Sequence, residues 1–398
     1  MDLRSGCPFW LLEGDQFPPY PQLDRDKSCD VAILGGGITG ALVAWHLAEA
    51  GISAILLDRR QPGCGSTMAS TGLLQYELDT TLCELIKLVG RKNAFRGYQL
   101  CVGTFDKFER LLTDIGDRCG FERCPSLYLA SNSEDVADLK EEFKCRRAAG
   151  IDLQYLSESE IKKSFGFFRP AALLSRDGGQ IDPYRLNQRL LQRSSQRGIE
   201  IFAKTHVTEY LPTNDRVKLI TEHGPTITCR HIVFATGYET PQFLDQNIVT
   251  LKSTYALSTH PIRQPIDIEK TLLWETSRPY FYTRWGPDNR AMLGGEDEPF
   301  SDAQTRDELI PAKSAILCKK FRDMFGIPVE VECAWAGVFG ETKDGLPYIG
   351  PHKQFPLGLF ALGYGGNGIT FSLVAAEIIR DTLLDRPNPD GDIFRFDR

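Results

Sequence analysis

The chain has 398 residues, 42% of them hydrophobic and 25% charged, an ordinary globular composition at a length that suits two domains better than one. Its net charge of -7 and the lack of a basic tract argue against electrostatic binding to nucleic acid. No run of about 18 apolar residues occurs, so no membrane span is expected, and the first 30 residues lack the basic-then-apolar order of a signal peptide.

In chain order, residues 1–27 read as an extended arm, because Phe17-Pro18-Pro19-Tyr20-Pro21 disfavours helix. Residues 30–34 (DVAIL) form an apolar run of the kind found in buried parallel strands. A glycine turn follows, then a helix over 41–50 broken at Gly51, then a second buried strand over 52–57 that ends at Asp58. Residues 81–150 carry helical pattern and charge, with a strand at 127–130. Short strands are predicted at 199–202, 217–220, 227–229 and 231–234. Residues 251–300 alternate apolar and polar with many aromatics, as in a half-exposed antiparallel sheet. Residues 358–384 return to strand, glycine turn and helix. The 11 cysteines are scattered from Cys7 to Cys333 without a CxxC pair, and Cys119 and Cys124 have no second pair to complete a zinc site. Reduced thiols in a cytoplasmic protein are expected.

The spacing Gly35-x-Gly37-x-x-Gly40 lies after a strand and before a helix. There the first glycine makes the tight turn, the second admits a pyrophosphate to the backbone, and the third lets helix and strand pack closely. Ile38 and Thr39 lie within this loop, ahead of a helix whose N-terminal N–H groups attract phosphate. Asp58, 23 residues after Gly35, can accept both ribose hydroxyls of an adenosine, with Arg59 beside it. The loop alone does not separate NAD from FAD, but Asp58 argues against NADP, whose 2′-phosphate it would repel.

Three further segments bear on that choice: Gly65-Ser66-Thr67-Met68-Ala69-Ser70-Thr71-Gly72; Val207 with Ala235-Thr236-Gly237; and Gly363-Tyr364-Gly365-Gly366-Asn367-Gly368-Ile369-Thr370. Together these residues resemble the D-amino-acid-oxidase family of flavoproteins, most of all its glycine, sarcosine and gamma-glutamylputrescine oxidase branch. The resemblance runs from residue 30 to about 384, and the arm FWLLEGDQFPPYPQLD is similar to that of the putrescine-type members.

The resemblance implies an α/β protein, α+β overall. A doubly wound, Rossmann-like FAD-binding domain would come from 1–85, 170–245 and 335–398, and a substrate domain built on an antiparallel sheet from 86–169 and 246–334. Gly35, Gly37, Gly40, Ser66 and Thr67 would hold the pyrophosphate, Asp58 the ribose, and Val207 the adenine. Thr71, Gly72 and Leu73 would lie along the isoalloxazine ring. Gly366, Asn367, Gly368, Ile369 and Thr370 would face its N1/C2=O edge, where a helix N-terminus stabilises the charge of reduced flavin. Ala69 and Gly337 fall at or near the family's covalent attachment positions and cannot form the bond, and Cys333 is out of register, so FAD would be noncovalent.

The arginine that clamps the substrate carboxylate in amino-acid oxidases matches Phe339. The substitution counts against a simple alpha-amino acid and favours a small-molecule amine, or a substrate whose carboxylate lies far from the reacting carbon; the donor would be oxidised by hydride transfer to flavin N5 with hydrolysis of the resulting imine, and an amino acid or N-methyl amino acid is the alternative. Arg284 is a possible replacement clamp. Alternation along 278–285 puts Tyr280, Tyr282 and Arg284 on one face, which either meets the substrate or packs as core. Tyr255 is a similar candidate. Gln75, Glu77 and Asp79 alternate as well, either as a solvated or salt-bridged face or as an attractor of a cationic amine. His46 reads as structural, and His260 as a strand-end residue more than a base. Met292 stands where sarcosine oxidase has its oxygen-activating lysine, which leaves O2 or another electron acceptor open. Two other readings stand beside this one: an NAD-dependent dehydrogenase, and a flavin-binding subunit without turnover of its own.

Overall fold

The computed structural model describes residues 1–13, 17–263 and 270–398; residues 14–16 of the arm and 264–269 of the predicted antiparallel region lie outside the described residues. One layer is built from β1 (Val31–Leu34), α1 (Ile38–Glu49), β2 (Ala54–Leu57), α2 (Pro183–Gln196), β3 (Glu200–Phe202), β4 (His231–Phe234), β5 (Tyr348–His352), β6 (Phe355–Leu362) and α3 (Gly368–Leu383). The strands lie in the order β3-β2-β1-β4-β6-β5. All are parallel to their neighbours except β5, which pairs antiparallel with β6. Both faces of β1 are covered, which is why it reads as a continuous apolar run. Val31 and Ile33 face the helices α1, α2 and α3, while Ala32 and Leu34 face a small sheet that includes Val217–Thr221 and Thr226–Cys229.

α1 can sit this close to the sheet only because residue 40 is glycine. A Cβ there would lie 1.9 Å from the Gly35 carbonyl oxygen. His46 lies on α1, and burial lowers its pKa to about 4, so it is a neutral structural residue.

The second layer is a nine-stranded sheet. Its order is Arg4–Gly6, Val331–Glu341, Thr250–Thr259, Ala291–Glu298, Phe281–Trp285, Leu272–Glu275, Ser126–Leu129, Ala171–Ser175 and Leu153–Ser157. The helix Ile310–Phe325 covers one face, burying Leu317 and Phe321 against Leu257, Trp285 and Leu293.

Arg4–Gly6, Ala171–Ser175 and residues 335–341 pair within the nine-stranded sheet. Within the arm Trp10–Glu13 departs from the extended expectation by making one helical turn, whereas Arg4–Gly6 is an extended strand paired antiparallel with Val331–Glu341. The physical reason is the open edge of Val331–Glu341, whose backbone groups need a partner and find one in the arm.

Gly40→Ala should force α1 away from β1 and lower stability by on the order of 3 kcal/mol. A fall in the urea midpoint with an unchanged slope would report this; an unchanged midpoint would contradict the packing constraint.

Candidate functional site

A single cavity runs along the carboxyl ends of β1, β2 and β4 and into the gap between the two layers. At its first end, Gly35 takes a positive φ of 100°, and a Cβ there would strike the Ala235 carbonyl at 2.4 Å. The Gly36 N–H donates to Asp58 Oδ2 at 2.7 Å and the Arg60 N–H to Oδ1 at 2.6 Å. Burial raises the Asp58 pKa, and these two donors oppose the shift. Each carboxylate oxygen keeps a lone pair for a ribose hydroxyl. Arg59 and Arg60 reach Glu239, which ties this end together.

The start of α1 has no side-chain cap, since its cap residue is Gly37. Thr67 Oγ1 accepts from the Ile38 N–H at 2.9 Å, and the buried Ser66 hydroxyl has no partner among the described residues. Uncapped helix N–H groups beside an orphaned hydroxyl are the donor set a diphosphate needs. Ile38, Thr39, Val207, Ala235, Thr236 and Gly237 share this wall. A dinucleotide fits the residues present.

At the other end the wall holds Thr71, Leu73, Gly366, Asn367, Gly368 and Ile369. The Asn367 side-chain amide donates to the carbonyls of Gln75 (3.0 Å) and Glu77 (2.9 Å), and the Gly366 N–H donates to Asp79 Oδ2 at 2.9 Å. α3 starts at Gly368 and directs its N-terminus here. The indole N–H groups of Trp10 and Trp335 pin the adjacent loop through Ser70 O (2.7 Å) and Ala69 O (2.8 Å). Ala69 and Gly337 lie on the cavity wall with no nucleophile to offer; Cys333 packs away from it among Phe9, Trp10 and Met292.

Three expected contacts are not on the wall. Gly40 sits behind it, in the α1–β1 contact. Gly72, with φ of 73°, gives room to the Ile181 carbonyl. Thr370 lies in the first turn of α3, 2% exposed, with its hydroxyl 3.4 Å from Gln75 O.

The gap between the layers has an aromatic lining: Trp274, Tyr280, Tyr282 and Phe339, with Tyr238 nearby. The Thr71 hydroxyl donates to Tyr282 Oη at 3.3 Å. Gly294 makes room for this phenol, since a Cβ there would lie 2.2 Å from it. Burial pushes the Tyr282 pKa up to about 12, so it is a neutral hydrogen-bonding group and not a base.

Two candidates fall elsewhere. In the strand Thr250–Thr259 it is Thr254 that meets the cavity, so alternation turns Tyr255 to the opposite side, where it packs under Lys313. Arg284 shares a face with Tyr282 but lies beyond the cavity, with its guanidinium 5.3 Å from the Trp10 ring. It is not among the residues that line the cavity. His260 is at an exposed strand end beside Glu332. Gln75, Glu77 and Asp79 all line the cavity. Sequence reasoning missed Trp274 and Thr254; the alternation around them was readable, but not which face met the cavity.

Comparison with known proteins gives a consistent picture. The DAO family, described as FAD dependent oxidoreductase, matches residues 30–382. The probable oxidoreductase OrdL of Haemophilus influenzae is 23% identical over 390 residues, covering 93% of this chain and 85% of that protein. The gamma-glutamylputrescine oxidoreductase of Escherichia coli is 24% identical, covering 98% and 90%. The crystal structure of glycine oxidase from Geobacillus kaustophilus superimposes with a TM-score of 0.77 at 20% identity, covering 91% of this chain and 96% of that one.

Ser66→Ala removes the unpartnered hydroxyl and nothing else. It should weaken FAD binding by about tenfold, as measured by flavin fluorescence titration of apoprotein, without lowering the apoprotein's melting temperature. Equal affinity in the two proteins would remove Ser66 from the diphosphate site.

Proposed function

Because the chain belongs to the DAO family of FAD-dependent oxidoreductases, we propose that it oxidises a C–N bond of an amine and requires no carboxylate beside the reacting carbon. The observation that supports this reading is the wall around Phe339. That wall is aromatic, and its charged side chains are the acids Glu77 and Asp79. The basic residues on the cavity lining, Arg59, Arg60 and His206, belong to the Asp58 end. A substrate carboxylate in the gap would be desolvated beside like charges with no guanidinium on the cavity lining there to receive it, Arg278 being engaged behind the wall by the Asp79 carbonyl and the Tyr280 ring, at a cost of several kcal/mol. An amine meets aromatic faces that favour a cation and a dry setting that lowers its pKa.

FAD, when bound, supplies the hydride acceptor. The chain's own residues bind, orient and exclude water. Tyr282, held between Thr71 and Gly294, fixes one side of the donor's space. The first turn of α3, which starts at Gly368, would present N–H groups to the edge where negative charge develops. Ala69 and Gly337 offer no point of attachment, so the cofactor is held noncovalently. In this reading the parallel sheet carries the cofactor and the nine-stranded sheet forms the substrate wall. The imine product hydrolyses in water, and O2 or another oxidant takes the electrons onward. Among the described residues no helix is long and apolar enough to cross a membrane. The 11 free thiols suit a cytoplasmic setting.

The test is anaerobic mixing of oxidised holoprotein with amines, N-methyl amino acids and alpha-amino acids, followed by bleaching of the flavin. Amines should bleach it at least about tenfold faster than glycine or D-alanine, and Phe339→Arg should narrow that gap. Fastest reduction by glycine or D-alanine would sink the proposal. No reduction by any donor would favour a flavin-binding subunit without turnover.

A further inference from the structure

The acids at the ring end of the cavity have no task in the chemistry above. Glu77 is 3% exposed and forms part of the cavity wall. Its Oε1 lies 3.8 Å from Arg146 Nη1, while its Oε2 has no partner among the described residues. Arg146 does not neutralise it fully, because the same guanidinium is held at 2.7 Å by Glu142. Two carboxylates therefore share one buried cation. Asp79 adds a second charge on the cavity wall; the Gly366 N–H donates to one oxygen, and the Arg278 guanidinium, which donates to the Asp79 carbonyl at 3.0 Å and lies 5.0 Å from the Tyr280 ring, offsets part of that charge. Asp297, close enough to feel the Asp79 charge, has an unpartnered buried Oδ1. On the aromatic side, Trp274 stacks on Tyr128 with ring centroids 3.8 Å apart, and its buried indole N–H is unpartnered as well. A buried carboxylate oxygen without a donor is costly unless a ligand supplies one.

We propose that Glu77 and Asp79, with the faces of Trp274 and Tyr280, form a subsite for a second positive charge on the substrate, so that the chain selects diamines and longer polyamines. The distal ammonium would sit on Glu77 Oε2 while the near amine faces the flavin. The aromatic faces add cation–π attraction to the carboxylate's charge. This inference rests on the amine reading of the site and extends it to the far end of the donor.

The test uses holoprotein and three probes of matched length: 1,4-diaminobutane, n-butylamine and 4-aminobutanoate. In anaerobic flavin reduction the diamine should exceed butylamine by about tenfold or more in rate over dissociation constant, with 4-aminobutanoate slowest. A second readout involves no turnover: calorimetric titration of dithionite-reduced holoprotein, which cannot accept a hydride, should show the same order of affinity. Glu77→Gln should reduce the diamine preference to about twofold in both measurements. Should the Glu77 variant fail to fold, Gln75→Glu serves, because an added carboxylate on the same wall should raise the preference. Equal handling of diamine and butylamine by wild type, or a preference untouched by either variant, would overturn the subsite and leave the amine reading standing. Reduction by 4-aminobutanoate and alpha-amino acids alone would overturn both.

Discussion

The side chain of Asn367 joins the two ends of the chain. Its amide bridges two carbonyls of the segment 75–77, and the neighbouring Gly366 N–H is taken by Asp79. The turn it stabilises includes Gly363 and Gly365, both at positive φ. Such a glycine-rich turn has many conformations to lose and needs fixed partners to keep one. Once it is held, α3 has a defined starting point, its N-terminus has a direction, and Leu73 to Asp79 becomes one rigid wall of the cavity.

The cavity is accordingly a composite. Its cofactor end belongs to a parallel sheet and follows that sheet's usual logic, with helix N-termini and glycines near phosphate and an acid near ribose. Its other end is walled by the nine-stranded sheet, which supplies the aromatic rings Trp274, Tyr282 and Phe339, and by the segment 73–79, which supplies the carboxylates. Trp10 and Trp335 couple the two, since each sits in a strand or turn of the second layer and hydrogen-bonds the loop at 69–70. Electrostatics divides along the same line, with Arg59 and Arg60 at one end and Glu77 and Asp79 at the other.

How far the sequence is readable follows from how local each determinant is. Strand, glycine turn, helix, strand and acid lie together between residues 30 and 58, so one local pattern carries the whole adenosine and diphosphate end. Family resemblance extends that to the segments at 65–73 and 363–370. The donor end is different. Alternation along 250–259 separates Thr254 from Tyr255, but only tertiary structure shows that Thr254 has the cavity face. Likewise Tyr282 and Arg284 share a face, yet the cavity ends between them where Trp10 of the arm intrudes. The arm's strand at Arg4–Gly6 has no strong strand propensity of its own; its partner strand, far away in sequence, imposes the conformation.

The strand order of the parallel sheet has a consequence for how the protein is made. β4 lies between β1 and β6, and β6 is synthesised only after residues 235–354. During translation β4 therefore waits with one apolar edge unpaired, and α3 is not yet there to cover Val31 and Ile33. Such an edge is a hazard for association between nascent chains. The nine-stranded sheet also pairs Arg4–Gly6 with Val331–Glu341, so neither layer closes on the ribosome before those later strands emerge. Early binding of FAD cannot rescue this stage, because Asn367 and the start of α3 follow β6 in the chain.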